Sequence, residues 1–289
     1  MKTLPLLTAA LLAGGLITHA QDWTQWGGSQ HRNMFNPAKG LPDKFEVGKL
    51  VKGTENFDPA TQKNVKWVAK LGSQSYGNPT IAIGRVYIGT NNDSPRDKRH
   101  LGDRSILLCL DEKTGEMHWQ LVVPKLKSGK VNDWESLGLL SSPTIEGDRV
   151  YVVTSRCEVL CLSVDGMAKG NQGPYKDEAK YAVLDIVGPD GKPAAPIPPG
   201  PKDADILWRY DMMDDLGVFP HNASNCSVLI VGDVLYVCTS NGQDWTHVNI
   251  PSPLSPSLIA INKKTGELLG EDDAKIGSRL FHGQWSSPS

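Results

Sequence analysis

The stretch "SSPTIEGDRVYVVT" (Ser141–Thr154) sets two β-rich runs on either side of Gly147-Asp148. Such runs around a short glycine-containing turn read as a β-hairpin. The same pattern returns twice. "GNPTIAIGRVYIGT" (Gly77–Thr90) and "CSVLIVGDVLYVCT" (Cys226–Thr239) align with it so that Tyr87, Tyr151 and Tyr236 coincide. A third strand follows each hairpin, in "SILLCLDEKTGE" (105–116), "EVLCLSVDG" (158–166) and "SLIAINKKTGE" (257–267). A fourth carries Trp119 in "MHWQLVV" and Trp208 in "ILWRY", with Gly270 at that position in the third unit.

Four strands in meander order, repeated at about 40–45 residues once insertions are removed, predict an all-β fold: a β-propeller of four-stranded antiparallel blades. The blades are placed at about 77–123, 140–210 and 226–270. One blade cannot bury both faces, so neighbours must stack. Trp67, in "NVKWVAKLG" (64–72), is read as a lone Trp-bearing strand ahead of the first blade. Trp67, Trp119 and Trp208 are assigned to blade–blade packing. Ser286-Ser287-Pro288 repeats the opening of the hairpin. The expectation is that a further blade starts at 286, and that the chain is an open fragment of a ring of about 7–8 blades.

The repeat resembles a known family. The S-S-P-x-x-x-G-x-x-V-Y-V hairpin, the L-x-C/A-L-D-x-x-T-G-E strand and turn, and the Trp that follows are similar to pyrroloquinoline-quinone-type propeller repeats. "DWTQWGG" (Asp22–Gly28) is similar to the lead-in of exported members. The resemblance covers Asp22 to Ser289. It implies either a non-catalytic scaffold, as in outer-membrane protein assembly, or a quinoprotein alcohol or sugar dehydrogenase using pyrroloquinoline quinone and Ca²⁺. No Cys-Cys pair of the dehydrogenase branch is present.

Around these blades, residues 1–20 read as a signal peptide: Lys2, an apolar run from Leu4 to Ile17, then Thr18-His19-Ala20. No lipobox cysteine follows. A periplasmic or secreted protein without membrane insertion after cleavage is expected. Residues 21–63 form an N-terminal lead-in to a partial propeller at 64–289, with a Pro-rich insertion at about 164–205 in which 180–187 is read as one extra strand. A net charge of -2 gives no basic field for nucleic acid. Cys109, Cys161 and Ala260 share one repeat position, a small buried strand site. Cys226 and Cys238 fall diagonally on adjacent strands and on opposite faces, so no disulfide is expected.

Sorting the insertions by connection gives the functional signal. Residues 91–104 and 240–256 join second to third strands, while 124–138, 211–225 and 271–285 join blades. In a meander all five fall on one rim. Long loops in compact domains carry function more often than short ones. The candidate binding residues are His221, Asn222, Asn225, Asp244, Trp245, His247, Trp134 and Trp285. They suit a protein partner, a polar small molecule or a glycan. No catalytic residue and no cofactor is assigned. His221, His247 and His282 match no local metal spacing, so no metal site is assigned either.

Overall fold

The computed structural model describes residues 22–289; the leader read at 1–20 lies outside the described residues. The chain folds as part of a β-propeller, with three four-stranded antiparallel sheets in meander order. The first holds β1 (Thr80–Ala82), β2 (Arg85–Asn91), β3 (Arg104–Asp111) and β4 (Met117–Pro124). The second holds β5 (Thr144–Glu146), β6 (Arg149–Val153), β7 (Glu158–Ser163) and β8 (Ile206–Asp211), with α1 (Glu178–Tyr181) between the last two. After α2 (Met212–Leu216), the third holds β9 (Leu229–Val231), β10 (Val234–Cys238), β11 (Leu258–Asn262) and β12 (Leu268–Glu271).

Register repeats with the sequence. Tyr87 faces Cys109, which faces Trp119; Tyr151 faces Cys161, which faces Trp208; Tyr236 faces Ala260, which faces Gly270. The small middle residue lets the two rings approach, with centroids 6.0 Å apart for Tyr87–Trp119 and 6.2 Å for Tyr151–Trp208. Each fourth strand then bulges by one residue, at His118, Leu207 and Leu269.

The tryptophans join sheet to sheet. Trp119 Nε1 donates to Val164 O at 2.7 Å and Trp208 Nε1 to Lys263 O at 3.2 Å, each in the next sheet's unit. Trp67 Nε1 does the same to Glu112 O at 2.9 Å. Each indole lies flat on a turn glycine. A Cβ on Gly115 (φ 75°) would sit 2.7 Å from Trp67, and one on Gly266 (φ 79°) 2.8 Å from Trp208. Lys-Thr-Gly-Glu therefore needs its glycine twice over, for the left-handed turn and for the indole above it. Arg85 and Arg149, equivalent in the repeat, add a second tie, donating to Val164 O and Lys264 O. Apolar cores fill the two gaps. One is centred on Tyr87, Trp119 and Leu160, the other on Tyr151, Met212 and Leu235.

The innermost strands β1, β5 and β9 are served by the lead-in. Trp23 pairs with Ile81 in both directions (2.7 and 2.9 Å), Thr24 O accepts from Ile145 N, and Arg32 donates to Ser227 O and Val228 O. One segment thus satisfies edge groups of all three sheets that a bare edge would leave unpaired. Just above it, Asn78 N donates to Ser142 Oγ, Ser142 N to Ser227 Oγ and Ser227 N to Ser287 Oγ, at 2.9, 3.1 and 2.9 Å. These four residues hold one repeat position.

Three local readings are corrected. Residues 180–187 form the end of α1 and turns rather than a strand. The insertion reaches the core instead: Tyr181 is buried and its hydroxyl donates to Glu158 Oε2 at 2.7 Å. Residues 64–72 dock Trp67 ahead of the first sheet as read, but they form no strand. Cys226 lies before β9, free of the strand's alternation, and its sulfur accepts from Cys238 N at 3.1 Å; the five cysteines are free thiols.

Candidate functional site

The five long loops meet one another on one rim. Ser136 N donates to Asp103, and Asn91 Nδ2 to Ser136 O. Trp134 N donates to Asn222 O and Asn222 N to Val131 O, both at 2.6 Å. His221 N donates to Ser240 O, and Gln243 N to His282 O at 3.0 Å. Asp133 staples the loop that carries Trp134: it accepts from Leu126 N at 3.0 Å and pairs with Lys125, while burial pushes its carboxyl up.

Two features result. The first is a cleft of about 680 Å³ beside the innermost strands. Its walls include Tyr76, Leu140, Asn225 and Trp285, with Trp26 and Trp134 beside them. The first four are one position in the repeat, each two residues before the serine-ladder position. The carboxamide oxygens of Asn222 and Asn225 are buried there without a hydrogen-bond partner. Trp134 is stacked on Trp245, with centroids 5.5 Å apart and planes 27° apart.

The second is a group of three imidazoles. His221 is fully buried, while His247 and His282 are exposed. Ring centroids are 4.8 Å apart for His221–His247, 4.4 Å for His221–His282 and 5.0 Å for His247–His282. Trp285 packs on His221 and His282 and donates from Nε1 to His221 O at 3.0 Å. Burial lowers the His221 pKa, opposed by the hydrogen bond to the Gln243 carbonyl and reinforced by the other two rings. Gly242 permits the close approach: a Cβ there would lie 2.6 Å from His221 Cβ.

The structure therefore gathers Trp134, Asn222, Asn225 and Trp285 at the cleft, and His221 and His247 at the imidazoles, with Trp245 behind Trp134. Asp244 belongs to neither. Its carboxylate accepts from Thr246 Oγ1 and Asn249 Nδ2 within its own loop, and those bonds hold its pKa down. Trp26 and Tyr76 were missed. Extending the repeat alignment one residue toward the N-terminus of each hairpin would have found Tyr76; nothing in the lead-in marks Trp26. A second group of metal-binding types, Asp97, His100 and Asp203, is already used structurally, since Arg99 bonds to both carboxylates.

The cleft does not fit the cofactor that the resemblance implies for its dehydrogenase branch. No residue lining it carries a charge. A tricarboxylate quinone would find no cation there, and Ca²⁺ no carboxylate.

Comparison with known proteins follows the fold. The family model described as outer membrane protein assembly factor BamB matches residues 57–172 and 101–279. Among solved structures, a europium-containing methanol dehydrogenase is similar with a TM-score of 0.50 at 11% identity, over 88% of this chain and 32% of that one. A quinohemoprotein alcohol dehydrogenase from Pseudomonas putida HK5 gives 0.45 at 13% identity, over 86% and 26%. BamB from Moraxella catarrhalis gives 0.24 at 18% identity, over 69% and 65%. The chain spans about a quarter to a third of the length of those dehydrogenases. No curated protein matches it in sequence. With its three repeat-built sheets and a family match across most of its length, the chain belongs to the pyrroloquinoline-quinone-like β-propeller family of the assembly factor BamB.

Proposed function

We propose that the chain is an exported, non-catalytic binding propeller whose rim cleft takes a neutral, hydroxyl-rich ligand of the glycan class. One observation carries the reading: four repeat-equivalent positions, Tyr76, Leu140, Asn225 and Trp285, converge with Trp26 and Trp134 on a single uncharged cleft. Aromatic faces match the apolar face of a sugar ring, while the unpartnered Asn222 and Asn225 oxygens accept from its hydroxyls. The leader read at 1–20 supports export, and the match to a family model described by an assembly factor, with a cleft that offers the quinone no charged partner, supports the absence of turnover.

Titration with a panel of neutral mono- and oligosaccharides, followed by tryptophan fluorescence, tests this. A saturable change that is weakened in Trp285→Ala and Asn225→Ala is expected. A flat response across the panel overturns the ligand class. Dye-linked alcohol or sugar oxidation after addition of pyrroloquinoline quinone and Ca²⁺ overturns the non-catalytic reading.

A further inference from the structure

We propose that His221, His247 and His282 form a three-histidine binding site for a divalent late first-row transition ion, with Zn²⁺ as the reference metal. The side chains come from three separate loops: the one before β9, the one between β10 and β11, and the one after β12. One ring nitrogen from each lies within 4.8 Å of the others. His247 Nε2 and His282 Nε2 are 3.1 Å apart. Ligation at about 2.0–2.1 Å per nitrogen asks only for small rotations of the two exposed rings.

The tautomer of His221 is the decisive detail. Its Nδ1 lies 2.7 Å from Gln243 O. A carbonyl can only accept, so Nδ1 carries the proton and Nε2 presents a lone pair. That Nε2 is buried and has no hydrogen-bond partner. A backbone carbonyl holding the far nitrogen of a ligating imidazole is the usual outer support of metal-binding histidines. An unmet buried acceptor carries a desolvation penalty, which a bound cation at this point would remove. The loops are held without metal: Gln243 N bonds His282 O, Gln284 N bonds Asn241 O, and Trp285 Nε1 bonds His221 O. Neutral nitrogen donors favour Zn²⁺, Cu²⁺, Ni²⁺ or Co²⁺ over Ca²⁺ or Mg²⁺. Three protein ligands leave Zn²⁺ a fourth position for water or a ligand atom. The site is independent of the saccharide reading of the cleft, because its test contains no sugar.

The whole chain is titrated with Zn²⁺ by calorimetry, with Ca²⁺ as the contrasting ion. One equivalent of Zn²⁺ is expected to bind, and Ca²⁺ not at this site. His247→Ala and His282→Ala, at exposed positions, should each weaken Zn²⁺ binding by more than about tenfold. His118→Ala, elsewhere on the surface, should leave it unchanged. Substitution by Co²⁺ gives a second readout that needs no variant, the visible absorption of a low-symmetry nitrogen-ligated ion. Zn²⁺ affinity equal in wild type and in the double variant His247→Ala/His282→Ala, or a Co²⁺ spectrum identical to the aqua ion, overturns the proposal.

Discussion

Ser287 Oγ accepts the backbone N–H of Ser227 at 2.9 Å, as Ser142 Oγ accepts that of Asn78, two units earlier, at the same distance. The hydroxyl of each unit thus caps the strand lead of the unit before it. Ser142→Ala leaves the Asn78 N–H without its acceptor. A loss of about 1–3 kcal/mol is expected. Denaturant unfolding measures it, and faster hydrogen exchange at the Asn78 amide locates it.

The indole docks predict graded costs. Trp119 is 1% exposed and Trp67 only half-buried. Trp119→Ala should cost about 3–5 kcal/mol, chiefly through lost contacts, since Arg85 still donates to the Val164 carbonyl. Trp67→Ala should cost clearly less. Equal shifts in the unfolding midpoint would contradict the packing described for the two rings.

Glu158 is fully buried and holds Arg209 Nε at 2.9 Å, Tyr181 OH at 2.7 Å and Thr154 Oγ1 at 3.1 Å. Removing one partner of such a group strands the others. Glu158→Ala should therefore cost about 3–5 kcal/mol. Glu158→Gln, which keeps the size and loses the charge, should fall between that variant and wild type in chemical denaturation.

Asp165 ties the second sheet's unit to the first. Lys169 Nζ lies 2.6 Å from it and Arg85 Nη2 2.8 Å. These partners, Lys169 foremost, hold its carboxyl below the usual value. Its stabilising contribution is complete above the unfolded-state value near about 4 and fades as pH falls through the lower folded-state value. Asp165→Asn should be less stable at neutral pH by about 0.5–1 kcal/mol, since the pair is partly solvated. The gap from wild type should close in acid, as followed by thermal unfolding across pH.

The repeat made the sheets legible because each residue type has a register-level job. Tyr, a small residue and Trp stand side by side on successive strands, and a glycine must lie under the next indole. Where the chain left that register, pattern reading failed for physical reasons. Cys226 sits before β9, so alternation could not orient it. Residues 180–187 have β-like composition, but Tyr181 turned inward to Glu158 instead. At the rim, loop placement followed from connectivity alone, which gathered Trp134, Asn222, Asn225 and Trp285. The three imidazoles were not read as a metal site, because their spacing in the chain follows loop lengths and not the local motifs by which such sites are read. Asp244, chosen for its charge, serves its own turn.

The span from Arg32 to Val228 has a kinetic meaning. During synthesis the lead-in leaves the ribosome early, yet a partner of Arg32 lies 196 positions further on. Until that stretch is made, the guanidinium has no carbonyl to close upon. Such long-separated pairing slows maturation and lengthens exposure to aggregation. The earliest-made part of the fold is thereby among the last to be locked, and a helper that shields Trp23 and Trp26 during that wait would act on yield without altering the finished protein.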